Sequence, residues 1–543
     1  MGTIVSIFAI IGGIGSLVTI VVYWDVVLKI WKKFCKFLNN VIAYLDFPRR
    51  LMARRLNDKK FLEWQDNMLL KIYGQDHFTT ILNRSYPVYC LNFKEVYDYN
   101  TVDSLCYNGN KPLLSSTNVK MPNIFNTKIM KERVESDSEI VFKKELMGNG
   151  CFWNGYKWFT ARSMRDGNHI GFILDHLDYE GDLIKKIHLS VGDYKLNLLT
   201  SHIMTYELYK AYEKFKTEAK ELYDTEQDRD EYLNNIETGK LWPEIPFRHF
   251  IHHENGDDIN MVLLKGDGRY SLLSVQCLVM LCTTTKDERL EYKTFFGKRS
   301  SNTWKVSTKL GCYQFPPSGG FDLYDGKDID SDVVESNCSL KLALMREYLE
   351  EIFNDDQFAK VDKRNNDNKT VMVDKVKNDK RTDKIVKMLD EEIVGDDRFK
   401  KGTKKAYFST VGANVDLIDL RLSVNFLLVI NDYQYYQDGI KKKDQKEGAT
   451  KDKTDSSDEK DTFVYNEELT AKNKMLRTWR TVDKTLRGED EIGERNIVED
   501  NIGERNIVED SVALYAQGKP AFRNYLEKFG VDEECIARIC NDQ

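Results

Sequence analysis

The sequence lacks several patterns by which a function is usually recognised. Its ten cysteines form no Cys-x-x-Cys pair, and none of its eight histidines stands in a His-Glu-x-x-His frame. These absences exclude the common cysteine-based zinc motifs and the helix-borne zinc site of metalloproteases. We therefore expect reduced, cytosolic thiols, and we interpret the histidines as core or surface residues, including His169, His176, His188 and His202.

An excess of positive charge is also missing. The net charge is −7 at pH 7, so no nucleic-acid partner is expected. With 543 residues, of which 41% are hydrophobic, the chain can form two or three globular units.

The longest uncharged stretch lies at the N-terminus. No charged residue occurs from Ile4 to Trp24, and about 20 apolar residues suffice to cross a bilayer as a helix. The segment has neither the basic start nor the small-residue cleavage site of a signal peptide. We therefore predict a retained transmembrane helix over residues 1–25.

Basic residues follow this segment, and they predict its orientation. Residues 26–60 combine lysines and arginines with apolar residues at helical spacing, which favours a basic juxtamembrane amphipathic helix on the cytoplasmic side. The expected protein is single-pass, with its C-terminal domains cytoplasmic. Small residues four positions apart, Ala9 with Gly13 and Gly12 with Ser16, would permit homo-oligomers through the transmembrane helix.

The remaining chain divides by composition. It indicates an α/β (α+β) protein with three parts: an unassigned α+β domain at 61–245, a domain at 246–487 with charged insertions at 355–405 and 440–462, and a duplicated segment with a helical tail at 488–543.

Local patterns predict particular elements in these parts. Two apolar runs around Gly266-Asp267-Gly268 predict a hairpin from Met261 to Val275. Ser339 predicts the start of a helix. The segment IGERNIVED occurs twice, at 492–500 and 502–510, and two copies of so short a unit indicate a replication event in a tolerant surface segment.

Three glutamates share one face of the predicted helix. Glu347, Glu350 and Glu351 stand at i, i+3 and i+4, so their side chains are neighbours and repel one another. One explanation is a solvated acidic face beside Lys341 and Arg346. The other is a site for Mg2+ or Mn2+, which carboxylate oxygens bind and which can be shared with substrate phosphates.

The sequence around these glutamates resembles a known motif. Residues 346–352, Arg-Glu-Tyr-Leu-Glu-Glu-Ile, follow a strand and a glycine pair, Gly319 and Gly320. This arrangement looks like the Nudix box, written Gly-x5-Glu-x7-Arg-Glu-apolar-x-Glu-Glu-x-Gly-apolar. The resemblance implies a Nudix-like α/β/α sandwich with a mixed sheet, and the predicted hairpin would correspond to the strands before the box.

The resemblance also implies roles for individual residues. Glu347, Glu350 and Glu351 would bind Mg2+ or Mn2+, with the Gly319 carbonyl as a further ligand. Arg346 would orient the glutamates and act with them in catalysis, and Gly319 and Gly320 would contact the substrate. Candidates for a general base, by position alone, are Asp432, Glu467 and Glu468.

The chain departs from the signature at three points. Gly320 and Arg346 are 26 positions apart, where the signature has 14, so about 12 residues are inserted. Cys338 stands at the signature's first glutamate, with Glu335 as the nearest acid, and Phe353 replaces the glycine after the Glu-Glu pair.

The sequence is compatible with three functions. The first is a membrane-anchored Nudix-type hydrolase that cleaves a diphosphate linkage in a nucleoside diphosphate derivative or a signalling nucleotide. The second is a non-hydrolytic nucleotide sensor coupled to the membrane segment, as in signalling or defence. The third is a membrane scaffold with a merely solvated acidic helix.

Overall fold

The structure is a computed structural model. It describes residues 55–108, 170–193, 197, 200–201, 203–265, 269–299, 309, 311–323, 331–355, 372–440, 462–463, 476–487 and 507–541. Within these ranges, no helix is both long enough and apolar enough to cross a membrane. The predicted transmembrane helix, most of its basic flank, the loop at 441–461 and the first copy of the repeat lie outside the described residues.

Helices and strands alternate irregularly along the described chain. The helices are α1 (Lys59–Tyr73), α2 (Ile203–Leu222), α3 (Glu226–Asn234), α4 (Thr238–Leu241), α5 (Pro246–Glu254), α6 (Ile259–Leu264), α7 (Ser331–Asn337), α8 (Leu340–Glu347), α9 (Met372–Lys377), α10 (Lys380–Asp390), α11 (Tyr433–Ile440), α12 (Trp479–Arg487), α13 (Glu509–Lys528) and α14 (Glu533–Cys540). The strands are β1 (Thr79–Ile81), β2 (Arg84–Tyr86), β3 (Val88–Phe93), β4 (Cys106–Asn108), β5 (Ile170–Glu180), β6 (Leu183–Asp193), β7 (Ser274–Thr284), β8 (Leu290–Phe295), β9 (Gly297–Lys298), β10 (Tyr313–Gln314), β11 (Ser318–Gly320), β12 (Asp322–Leu323), β13 (Ala406–Asp416), β14 (Leu422–Ile430) and β15 (Leu476–Arg477).

One large mixed sheet organises these elements. Its eleven strands follow the order β12-β5-β6-β3-β13-β14-β7-β8-β15, with β11 paired to β7 and β4 to β6. The pairs β14 with β7, β3 with β6 and β4 with β6 are parallel, and the other pairs are antiparallel. The predicted mixed α+β class is thus confirmed. The sheet also crosses the predicted boundary near residue 245, because β3 pairs with β13.

Helices cover both faces of this sheet. Alternate residues of a strand point to opposite faces, and in β7 Val275 and Val279 enter one hydrophobic core while Leu278 and Met280 enter the other. The first core contains α1, α2, α5, α8 and α10. The second contains α12, α13 and α14. Strands buried on both faces read as continuous apolar runs, as β14 does.

Several local predictions agree with the structure. The helical tail predicted within residues 488–543 is formed by α13 and α14. Ser339 caps α8, because its hydroxyl accepts a hydrogen bond from the Leu342 amide at 3.3 Å.

The predicted hairpin from Met261 to Val275 is wrong. Residues Ile259–Leu264 form α6, whose first turn is capped by the Asp258 carboxylate, and β7 begins at Ser274. An apolar run this short cannot be assigned to strand or helix by periodicity. Asp258 decided the outcome, because its side chain accepts hydrogen bonds from the Asn260 and Met261 amides.

The interpretation of the repeat as a surface segment is wrong for the end of its second copy. Ile507, Val508, Glu509 and Asp510 are all buried, and they lead into α13. The Val508 amide donates a hydrogen bond to the Tyr313 carbonyl oxygen at 2.9 Å. This end of the repeat is therefore part of the protein interior.

A buried charge cluster holds the start of α13 against the sheet. The Lys309 ammonium lies 2.9 Å from Asp416 and 2.5 Å from Glu509, and Arg421 lies 2.9 Å from Asp510. Glu509 and Asp510 also occupy the first turn of α13, where the helix dipole favours negative charge. Burial among these carboxylates raises the pKa of Asp416 to about 7, against the opposing effect of Lys309.

Asp416 should make stability depend on pH. Its folded pKa lies above its ordinary value near 3.8, so its stabilising contribution is complete below about pH 4 and is lost as pH rises through about 7. Asp416→Asn should flatten the fall in the thermal midpoint between pH 5 and pH 8, whereas the exposed control Asp397→Asn should leave it unchanged. Equal pH profiles for wild type and Asp416→Asn would contradict the raised pKa.

A β-bulge in β13 requires a glycine. The register of β13 against β14 shifts between Thr410 and Gly412, and Gly412 has a φ of +153°. A Cβ here would overlap the Gln517 side chain and lie 2.7 Å from the Leu91 carbonyl oxygen.

Gly412→Ala should therefore lower the free energy of unfolding by about 1–3 kcal/mol, a typical cost of overpacking. A lower midpoint in guanidinium unfolding would show it. Gly239→Ala is the control, since a Cβ there meets nothing within 4 Å. Equal midpoints for the two variants would mean that the bulge tolerates a side chain.

Candidate functional site

The site is formed where the glutamate helix crosses a short strand. β11 lies along the start of β7, with Gly319 opposite Val275 and Gly320 opposite Ser274. The helix α8 packs against both β11 and β7. The helix and the turn that follows it contribute four buried residues to the first core: Leu340, Leu344, Tyr348 and Ile352.

The helix changes its winding just before the last two glutamates. Residues Tyr348–Ile352 form a π-helical turn, so Glu347 ends the α-helical part and Glu350 and Glu351 lie on the wider turn. Isolated π turns of this kind occur frequently at functional sites. The chain leaves the helix through Asn354, whose φ is +50°.

Asn354 ends the helix in the left-handed conformation. Helices commonly end at such a residue, usually glycine and sometimes asparagine. Phe353, just before it, has a φ of −101° and is buried.

Two of the glutamates contact β11 directly. The Glu351 carboxylate accepts a hydrogen bond from the Ser318 amide at 2.7 Å. The Glu347 carboxylate lies against Gly319, where a Cβ would overlap it. Gly319 therefore provides the space that the Glu347 carboxylate occupies.

Arg346 connects the remaining groups. Its guanidinium donates to the Gly320 carbonyl oxygen at 3.1 Å and to Glu350 Oε2 at 3.4 Å, and it contacts the Glu347 carboxylate. The structure thus brings together Gly319, Gly320, Arg346 and all three predicted glutamates. The Gly320 carbonyl bonds to Arg346, while a metal-binding role for the Gly319 carbonyl stays a prediction.

Burial rules out a fully solvated acidic face. Glu347 and Glu351 are 6% and 5% exposed, whereas the Glu350 side chain is 23% exposed. Carboxylates placed this close together and buried require compensation by cations or hydrogen-bond donors, and Arg346 supplies part of it. Carboxylate oxygens are the ligands that Mg2+ and Mn2+ prefer, so these residues fit a hard divalent cation.

Other residues singled out in the sequence have structural roles. Asp432 accepts hydrogen bonds from the Gln434 and Tyr435 amides, which begin α11. Burial raises the pKa of the Cys338 thiol to about 12, so it stays protonated and does not replace the signature's carboxylate. Glu467 and Glu468 lie outside the described residues.

A small cleft lies beside the end of the glutamate helix. Its cavity volume is about 20 Å3, and it is lined by aromatic and charged side chains, Phe353, Tyr435, Phe463, Lys380, Arg381, Lys384 and Asp438. The Tyr435 hydroxyl lies 3.0 Å from the Tyr348 hydroxyl on the π turn, which connects the cleft to the helix. These residues lie far apart along the chain, so no local sequence pattern indicated the cleft.

A second polar cluster was missed by the sequence interpretation. His176, Asp178 and His188, on β5 and β6, each present one potential ligand atom, and these atoms lie within 4.8 Å of one another. The signal available in the sequence was the turn at Gly181 between β5 and β6, because it places these residues on neighbouring strands.

Comparison with known proteins adds no family assignment. A scan against protein-family models finds no match, and searches of curated proteins and of solved structures find no similar chain.

The contact of Gly319 with Glu347 can be tested by substitution. Gly319→Ala should displace the Glu347 carboxylate and weaken Mn2+ binding by about 10- to 100-fold, as loss of a supporting contact does at metal sites. Gly239→Ala is the control, because its Cβ would meet nothing within 4 Å and Gly239 lies on α4, outside the site. Paramagnetic resonance of free Mn2+ measures both affinities, and equal values would disprove the role of Gly319.

Proposed function

We propose that the chain is a membrane-anchored, Nudix-type hydrolase that cleaves a diphosphate linkage in a nucleoside diphosphate derivative or signalling nucleotide. The observation that carries the proposal is the grouping of three glutamates: Glu347 and Glu351 lie against β11, and Arg346 contacts Glu347 and Glu350. The Nudix-like fold is part of the proposal, supported by helices on both faces of a mixed sheet.

The three glutamates and Arg346 have different roles in holding a cation. Glu350 is the most exposed of the three carboxylates and would face the substrate side, while Glu347 and Glu351 are fixed against β11. Arg346 holds Glu347 and Glu350 in one orientation and is a positioning residue. When bound, Mg2+ or Mn2+ supplies a Lewis acid for the phosphoanhydride and lowers the pKa of a bound water.

The neighbouring cleft carries the kinds of side chain that contact nucleotides. Aromatic faces can stack on a base, and cations can bind phosphate oxygens. Arg381 lies over the Phe353 ring at 5.0 Å, and Lys384 lies over the Tyr435 ring at 5.1 Å. Since Arg381 is paired with Asp355 and Asp379, and Lys384 with Asp438, we assign phosphate binding to Lys380.

The membrane location belongs to the same proposal. The uncharged segment from Ile4 to Trp24 and its basic flank support a single-pass anchor with the catalytic part in the cytoplasm. Close approach of two such helices through Gly12 and Gly13 would give a homo-oligomer.

A specific observation favours a second candidate, a sensor that binds a nucleotide without hydrolysing it. Glu347 and Glu351 are almost wholly buried, and both already contact β11. Carboxylates so enclosed restrict the access of an attacking water. Ligand occupancy would then be transmitted to the membrane segment, which would act as the effector.

An assay of nucleotide hydrolysis distinguishes the hydrolase from the non-hydrolytic sensor. The full-length chain in detergent should hydrolyse at least one of a panel of nucleoside diphosphate derivatives and dinucleotides in Mg2+, releasing phosphate-containing products. Glu350→Gln/Glu351→Gln should reduce the rate at least about 100-fold, because both cation ligands lose their charge.

The matched control is Glu391→Gln/Glu392→Gln, an adjacent pair of exposed carboxylates in the same part of the chain. It should keep the wild-type rate. Tight binding of one nucleotide without turnover would support the sensor instead. Wild-type chain that neither binds nor hydrolyses any member of the panel in Mg2+ or Mn2+ would overturn both candidates.

A further inference from the structure

The hairpin formed by β5 and β6 has two irregularities in its register. From the turn, Glu180 pairs with Leu183 and Tyr179 with Ile184, but Asp178 then pairs with Lys186. This bulge shifts the following pairs by one residue. As a result His176 faces His188, whereas the register at the turn would place it opposite Ile187.

Bulges often redirect side chains beside functional sites, and here they bring polar residues together. His176 and Asp178 are two positions apart on β5, so their side chains share one face of the strand. Leu177 and Ile187 enter the first core, which leaves this face directed away from it. The His176 and His188 rings are stacked, with centroids 4.1 Å apart.

Both imidazoles approach the same carboxylate. His188 Nε2 lies 2.8 Å from Asp178 Oδ2, and His176 Nε2 lies 3.7 Å from Asp178 Oδ1. The potential ligand atoms of the three residues all lie within 4.8 Å of one another. Ligands of a tetrahedral zinc ion stand roughly 3.3 Å apart, so small side-chain rotations suffice to enclose one.

A second carboxylate orients His176. Asp175, the extra residue of the other bulge, lies between the pairs of Leu174 and His176. Its Oδ2 is 2.8 Å from His176 Nδ1, and its Oδ1 accepts a hydrogen bond from the Ser190 hydroxyl at 3.4 Å. Metal-binding histidines almost always give their second nitrogen to such a partner, which leaves Nε2 available for the ion.

We propose that His176, Asp178 and His188 form a binding site for Zn2+ or a similar borderline divalent cation. Two imidazoles and one carboxylate are a zinc ligand set, and three protein ligands leave a fourth position for water or another ligand. The site is chemically distinct from the glutamates, which offer oxygen alone. It therefore stands independently of the proposed hydrolase.

Direct metal analysis tests the site. The full-length chain, purified in detergent without a histidine tag and stripped with a chelator, is dialysed against micromolar Zn2+. We expect one zinc per chain by elemental analysis. His188→Ala should lose this zinc, and Asp178→Asn should weaken binding at least about 10-fold while changing the side-chain shape little.

One further variant and cobalt(II) substitution show how the ion is held. Asp175→Asn should weaken zinc binding by about 10- to 100-fold through the orientation of His176. Cobalt(II) absorption in the wild type should show the strong bands of a four-coordinate site, and His188→Ala should abolish them.

The controls are His253→Ala, an exposed histidine on α5, and Glu350→Gln/Glu351→Gln. Both should retain one zinc per chain, and circular dichroism should confirm that every variant is folded. The proposal fails if the wild type holds no zinc after dialysis, or if folded His188→Ala and Asp178→Asn both keep the wild-type amount.

Discussion

The rest of the structure depends on the parallel pairing of β7 with β14. Eight residue pairs, from Ser274 with Ser423 to Leu281 with Ile430, keep the two strands in register. Both strands are buried along almost their whole length, so each face of the sheet must be covered by helices. The glutamate helix covers one face and α13 covers the other. The position of the candidate site therefore follows from the need to bury this pair.

Where β7 and β14 begin, they carry polar side chains on the face of the sheet opposite the glutamates. Gln276 donates hydrogen bonds to Asn425 at 2.7 Å and to the Asp510 carbonyl oxygen at 2.6 Å, and Asn414 donates to the Asp510 carboxylate at 2.8 Å. Buried hydrogen bonds of this kind restrict the backbone to one arrangement. β11 pairs with this same stretch of β7, so the strand beneath Glu347 and Glu351 is fixed from the other side. A precise metal geometry needs such support.

Sequence patterns predicted features that depend on residues within one helix. They did not predict features that depend on contacts between residues far apart along the chain. Ser339 and the apolar stripe of α8 follow from capping and periodicity. The six apolar or neutral residues of α6 had no periodicity to read, and the aspartate before them selected the helix. The pairing of β3 with β13 joins residues more than 300 positions apart, which no local pattern encodes. The histidine cluster depends on a bulge whose position could not be read from the alternation of side chains.

The π turn changes which glutamates act together. In an α-helix each residue turns about 100°, so Glu350 and Glu351 would lie about 60° and 40° to either side of Glu347. A π turn of about 4.4 residues advances about 82° per residue, which keeps Glu351 within about 35° of Glu347 but moves Glu350 by more than about 110°. The contacts agree with the second geometry, since Glu347 and Glu351 face β11 while Glu350 is more exposed. The three carboxylates thus share the contacts of Arg346 and β11 but differ in exposure, with Glu347 and Glu351 buried and Glu350 partly exposed to solvent.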